Sequence, residues 1–72
     1  MSYYTTITVI SKEGRGVKAR VSCGSENGYT DESGKITFSM SQNDMYRVYA
    51  EYYNSRASGE VRGGGELVLR LN

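Results

Sequence analysis

The sequence predicts an all-β fold, a small antiparallel β-sandwich of six to seven strands. Apolar and polar residues alternate with a period of two along most of the chain, which is the pattern of a half-buried strand. Apolar residues at helical spacing persist nowhere for more than one turn. Turn signals rich in glycine, asparagine, aspartate and serine separate the alternating segments. With 72 residues the chain has room for one domain, which we place over residues 1–72.

The first two strands show the clearest alternation. Residues 3–10 predict the first strand, with Ile7 and Val9 facing inward. A polar loop at residues 11–16, punctuated by glycine, then reverses the chain. Residues 17–23 alternate small apolar side chains with lysine, arginine and serine. We therefore expect a second half-buried strand there.

Two turns separate the second strand from the third. The loop at residues 24–28 ends in Asn27 and Gly28, a pair that tolerates positive φ and is typical of tight turns. Residues 31–34 predict another turn, in which the aspartate accepts hydrogen bonds from backbone N–H groups and the glycine takes a left-handed conformation. Residues 35–40 alternate again and predict the third strand.

The second half of the chain predicts three further strands. A polar turn at residues 41–44 precedes a long alternating strand at 45–53. A weaker pattern at 56–61 indicates the fifth strand, and the glycine run that follows it indicates a flexible turn. The last strand, 66–71, has leucine at every second position and faces these leucines inward.

Tyrosine is the most distinctive residue type in the chain. The strand at 45–53 places Tyr46 and Tyr52 on its inward side, at the edge of the core. Arg47, Tyr49 and Tyr53 fall on the opposite side of the same strand. Exposed aromatic rings beside arginine bind sugars, bases or protein side chains, so these three residues are the predicted binding residues.

Four segments resemble carboxypeptidase-regulatory-like domains, whose fold is the transthyretin-like, or prealbumin-like, β-sandwich. They are GVKARV at 16–21, YTDESGKITF at 29–38, YRVYA at 46–50 and LVLRL at 67–71. The resemblance implies an accessory module without catalytic activity, which supports folding, spacing, adhesion or partner contact beside larger proteins. A five-stranded barrel of the OB or cold-shock kind is the alternative fold.

Residues suited to catalysis are scarce. The chain has no histidine, and its carboxylates are scattered over turns and outward positions rather than paired across a cleft. Its one cysteine, Cys23, has no neighbouring base and lies in phase with the apolar residues of its strand, which predicts a small buried side chain. We therefore expect no catalytic residue, no metal ion and no cofactor.

Three short motifs have structural explanations. Residues 14–19 fit the pattern G-x-G-x-x-A, but a dinucleotide site needs a helix after the motif, and here a strand is predicted. The turn at 31–34 lacks most ligands of a calcium loop. The single RGG-like element at 62–65 is expected to be a turn, because RNA-binding segments of that type repeat it.

Charge argues against nucleic acid as a partner. Nine lysine and arginine residues are interspersed with eight aspartate and glutamate residues, giving a net charge of +1. Nucleic-acid binding needs a clustered basic surface. The sequence shows no signal peptide and no membrane-inserting segment, so a cytoplasmic location and a place in an extracellular assembly both stay open.

These observations favour a non-catalytic protein-interaction or structural module, for example of a surface, secretion or phage-type assembly. It would present either the tyrosine-bearing face or a free edge strand to a partner protein. Two alternatives stay open: a carbohydrate-binding module that uses the same tyrosines, and a single-stranded nucleic-acid binder.

Overall fold

Seven strands in two facing sheets form the fold that a computed structural model shows for residues 2–71. The prediction of a small all-β sandwich is confirmed. No helix occurs in this range, and therefore none that could cross a membrane. The strands are β1 (Tyr3–Ile10), β2 (Arg20–Cys23), β3 (Glu26–Tyr29), β4 (Lys35–Met40), β5 (Met45–Tyr52), β6 (Ser55–Arg62) and β7 (Glu66–Arg70).

The two sheets differ in size and in the direction of one strand pair. The three-stranded sheet has the order β4-β1-β7, and the four-stranded sheet has the order β3-β2-β5-β6. All pairs are antiparallel except β1 and β7, which run parallel. Parallel partners need a long crossover between them, and here β2 to β6 supply it.

The core lies between the sheets and consists of the side chains that alternation directs inward. Each sheet contributes one apolar face, and the side chains of the two faces interlock. The side chains of Ile7, Val9, Val21, Cys23 and Val48 are fully buried at its centre. The remaining buried hydrophobic residues are Ala19, Phe38, Met40, Ala50, Val61, Leu69 and Leu71.

The predicted turn at Asn27 and Gly28 is wrong. Both residues lie in β3, which pairs with β2, and the chain reverses at Gly24 and Ser25, where Gly24 has a φ of 60°. Pairing with the open edge of β2 outweighs the weak strand propensity of this segment. Gly28 also faces the other sheet, where a Cβ atom would lie 2.9 Å from Cδ1 of Ile36.

The second predicted strand is shorter than expected because its first residues bond to Thr30 and to β1 instead of to a neighbouring strand of their own sheet. The buried Thr30 hydroxyl accepts a hydrogen bond from the Ala19 N–H at 2.7 Å and donates one to the Val17 carbonyl at 2.6 Å. The Thr30 N–H donates to the Ala19 carbonyl at 2.9 Å. Thr30 therefore supplies partners for the Val17 carbonyl and for both backbone groups of Ala19, while the Val17 N–H donates to the Val9 carbonyl of β1 at 3.1 Å.

The turn at residues 31–34 packs closely against the loop that precedes β2. A Cβ atom on Gly16 would lie 1.9 Å from the carbonyl oxygen of Ser33, so only glycine fits there. On the turn itself, Oδ1 of Asp31 accepts hydrogen bonds from the N–H groups of Ser33 at 2.9 Å and Lys35 at 3.0 Å. The predicted role of this aspartate in the turn is confirmed.

Candidate functional site

The outward face of the four-stranded sheet bears the side chains best suited to binding. Strand β5 alternates so that Val48 and Ala50 are buried while Arg47, Tyr49 and Glu51 are exposed. β6 places exposed residues opposite all three, and β2 places the exposed Arg20 opposite Glu51 and the half-buried Ser22 opposite Tyr49. We call this surface the outer face; its β2, β5 and β6 residues are Arg20, Ser22, Met45, Arg47, Tyr49, Glu51, Arg56, Ser58, Glu60 and Arg62.

Tyr49 occupies the middle of the outer face. Its register partners are Ser22 on β2 and Ser58 on β6, both of which have short side chains. The ring is therefore not covered from either side, and 52% of Tyr49 is exposed. A depression of about 520 Å³ adjoins it, lined also by Arg20, Glu51 and Arg56.

A second row of the outer face runs beside Tyr49. The register aligns Tyr29, Arg20, Glu51 and Arg56 across the four strands. Nε of Arg56 lies 3.2 Å from Oε2 of Glu51, and both side chains are at least half exposed. Such a surface ion pair contributes roughly 0–1 kcal/mol, so its main effect is to orient the two side chains.

The outer face has an excess of positive charge that the order of residues in the chain conceals. Strand alternation brings four arginines to this face against two glutamates, a net charge of +2 on a chain whose total is +1. Most of the other acidic residues lie in turns, loops or strand ends: Glu13, Glu26, Asp31, Glu32 and Asp44. An acidic partner surface would therefore be attracted to the outer face.

The structure brings together two of the three predicted binding residues. Arg47 and Tyr49 share the outer face. Tyr53 lies beyond the end of β5, in the turn to β6, with a φ of 52° and 87% exposure. Its ring contacts that of Tyr52 edge to face, with the centroids 4.7 Å apart. Tyr53 is thus accessible but belongs to the end of the sandwich.

Tyr29 and Arg20 are among the residues of this face that the sequence interpretation missed, together with Arg56 and Arg62 on β6. Tyr29 is 67% exposed, and β3 aligns it with Arg20. Because residues 27 and 28 were interpreted as a turn, nothing in the sequence connected Tyr29 with the strand at 45–53. The only available signal was the alternation of Asn27 and Tyr29 around Gly28, which is too short to define a strand.

The groups with shifted pKa values lie outside the outer face. Burial, and secondarily the charge of Glu26, raises the pKa of the Cys23 thiol, which makes it a poor nucleophile at neutral pH. Hydrogen bonds from Lys35 and Ser33 lower the pKa of Asp31. Across residues 2–71, no group of three or more histidine, cysteine, aspartate or glutamate residues is placed to hold a metal ion.

Comparison with known proteins does not assign the chain to a group. No protein-family model matches the sequence, and no curated protein matches it.

Proposed function

We propose that this domain is a non-catalytic protein-interaction module that binds an acidic protein surface through its outer face. The observation that supports the proposal is the placement of Tyr49, Tyr29 and the arginines together on one solvent-facing sheet. Tyrosine and arginine are enriched among the residues that dominate binding energy at protein interfaces. The net charge of this face adds attraction for acidic partners and disfavours basic ones.

The outer face has the dimensions of a compact contact surface. Four strands at a spacing of about 4.8 Å, two of eight and two of four residues, span a flat area of roughly 400 Å². The accessible surface is larger than this flat area because long side chains project from it, with Tyr29 67% and Tyr49 52% exposed.

Carbohydrate is the second candidate ligand. A half-exposed tyrosine ring flanked by two serines and an arginine–glutamate pair combines a stacking surface with hydrogen-bonding groups. The depression beside Tyr49 is open to solvent on one side, and this shape suits the end or side of a glycan chain better than an enclosed small molecule.

Affinity capture with matched variants tests the proposal. The immobilised domain is exposed to lysate of its native source beside an Arg47→Ser/Tyr49→Ser variant and a Tyr4→Ser control. Tyr4 is 67% exposed but lies on the opposite sheet, so the control removes an exposed tyrosine without touching the outer face. We expect one protein to be retained by the wild type and the control and lost by the double variant.

The captured protein is then purified and its affinity measured at low and high salt. The proposal requires that the affinity falls with salt and that the double variant weakens it about tenfold or more. Equal binding by the double variant would contradict it. Binding that a glycan array detects and Tyr49→Ser abolishes would favour carbohydrate. A single-stranded oligonucleotide with a steep salt dependence would favour nucleic acid.

A further inference from the structure

The free edge of β6 is the longest unpaired strand edge in the described part of the chain. β6 is the last strand of its sheet and pairs with β5 along all eight of its residues without a bulge. The other edge strands, β3, β4 and β7, have four, six and five residues. Proteins usually protect such an edge with proline, a bulge or a covering segment. β6 contains neither proline nor bulge.

The hydrogen-bond phase shows which residues of β6 face the free edge. The Gly63 N–H donates to the Asp44 carbonyl, continuing the β5–β6 register, and on the other side of β5 the Gly24 N–H donates to the Arg47 carbonyl. In an antiparallel pair only every second residue bonds to its partner. The odd-numbered residues of β6 therefore bond to β5. The even-numbered ones, Arg56, Ser58, Glu60 and Arg62, direct their N–H and C=O groups to the open edge.

This phase restricts how a second copy can pair with the same edge. Two β6 strands related by a two-fold axis must pair even-numbered residues with even-numbered residues. Two such registers align seven residues of each strand. In one register, Ser58 lies opposite Ser58 of the second copy, and the Arg56 of each copy lies opposite the Glu60 of the other. In the second register, the Arg56 of each copy lies opposite the Arg62 of the other. Opposite charges stabilise directly opposed strand residues and like charges destabilise them, so the sequence selects the first register.

The side chains at the edge leave room for this contact. On the inward side, the register centred on Ser58 pairs Ala57 with Gly59, which are small and half-buried at this edge. On the outward side, Glu60 forms no ion pair among the described residues. Arg56 uses its Nε–H toward Glu51, and its terminal guanidinium nitrogens have further N–H groups for a second carboxylate.

We propose that β6 is a homodimerisation edge, and that two copies pair antiparallel about Ser58 to form one continuous eight-stranded sheet. The two-fold axis is perpendicular to the sheet, so both outer faces point the same way. One row then crosses the dimer, from Tyr49 and Ser58 of one copy to Ser58 and Tyr49 of the second copy. The two tyrosines are three strand spacings, about 14 Å, apart.

The dimer enlarges the outer face. Two flat areas of roughly 400 Å² joined side by side double the surface that one partner can contact. The edge pairing rests on the backbone phase and on charge alone. It therefore stands or fails independently of whether the outer face binds an acidic protein.

Sedimentation velocity of the intact chain tests the association. The wild type, Ser58→Pro, Glu60→Arg and a Glu66→Arg control are compared at concentrations up to about 1 mM, because pairing through a single edge buries little area and is weak. Glu66 is an exposed glutamate on β7, so its reversal changes the net charge equally at a residue outside the β6 edge. We expect a dimer for the wild type and control, and at least about a tenfold higher Kd for both β6 variants.

Disulfide trapping tests the register. Across the two-fold axis, the two Ser58 Cα atoms are expected about 5.5 Å apart, within disulfide reach. Ser58→Cys should oxidise to a covalent dimer, whereas Arg62→Cys should not, because its two copies lie about 26 Å apart in this register. The native Cys23 is buried and does not compete.

Three results would overturn the proposal. The first is a wild type that stays monomeric up to about 1 mM, the highest concentration tested. The second is β6 variants that dimerise as well as the wild type. The third is cross-linking of Arg62→Cys equal to that of Ser58→Cys. Circular dichroism of each variant confirms that its fold is retained. If proline at residue 58 unfolds the chain, Glu60→Arg and the cysteine pair decide.

Discussion

The Thr30 hydroxyl is the polar contact whose loss should destabilise the domain most clearly. It accepts from the Ala19 N–H and donates to the Val17 carbonyl, and both Thr30 and Ala19 are almost completely buried. Thr30→Val keeps the shape of the side chain and removes both hydrogen bonds. Thr30→Ser keeps the hydroxyl and removes one methyl group.

The expected losses differ because of what each variant leaves behind. In Thr30→Val the Ala19 N–H stays buried without an acceptor, which costs about 1–3 kcal/mol, and the lost bond to Val17 adds about 1 kcal/mol. The total of about 2–4 kcal/mol is large beside the roughly 4–11 kcal/mol expected for a domain of this length. Thr30→Ser should cost about 1 kcal/mol for its missing methyl group.

Urea unfolding followed by circular dichroism measures these differences. With a slope of about 1 kcal/mol/M, typical of a small domain, the midpoint of Thr30→Val should fall by about 2 M or more and that of Thr30→Ser by about 1 M. If Thr30→Val is no less stable than Thr30→Ser, the hydroxyl does not hold residues 17–19, and the reasoning is refuted.

Three further predictions follow from packing, charge and burial. Gly16→Ala should cost more than about 3 kcal/mol or prevent folding, because its Cβ would overlap the Ser33 carbonyl oxygen, and thermal unfolding measures the loss. The folded pKa of Asp31 is lowered, so its stabilising effect is complete above the ordinary pKa of 3.8 and disappears as the pH falls through the lower folded value. Urea midpoints between neutral and strongly acidic pH should therefore converge for wild type and Asp31→Asn in acid. Cys23 should react with a thiol reagent at least about 100-fold more slowly than a free thiol, measured by absorbance, until the protein unfolds.

Each of these predictions has a control and a contradicting result. Gly14→Ala meets no atom within 4 Å, so only its positive φ should matter, at about 1 kcal/mol; equal losses at both glycines would contradict the close approach. If the urea midpoints of wild type and Asp31→Asn differ by the same amount at every pH, the charge of Asp31 does not contribute to stability. Rapid labelling of Cys23 under native conditions would show that the strand end opens.

Alternation along the chain was sufficient to predict the strands that bury one face and expose the other. The predicted strands at 3–10 and 35–40 coincide with β1 and β4, and the one at 45–53 differs from β5 only at Tyr53. These segments bury every second side chain, so apolar and polar residues alternate in their own sequence and predict the strand. The inward positions of Ile7 and Val9 followed for the same reason.

Contacts between distant segments decided the remaining features. β3 exists because the edge of β2 accepts it, and residues 17–19 leave the strand because Thr30 bonds to them. The outer face depends on register across four strands, so Tyr49 was predicted as exposed, whereas its alignment with Ser22 and Ser58 was not. Within one strand alternation predicts the face, and only pairing determines the neighbours.

The parallel pairing of β1 with β7 determines how the domain responds to tension. Thr6 lies opposite Glu66 and Ile10 opposite Arg70, so the chain enters and leaves at opposite ends of the same strand pair. A pull between the two ends shears this ladder along its length instead of unzipping it one bond at a time. The bonds from Thr6 to Gly65 and from Leu71 to Ile10, at the two ends of the ladder, would be stretched together. Placed in line between other domains, this sandwich would therefore transmit force through the hydrogen bonds between β1, the central strand of its sheet, and β7.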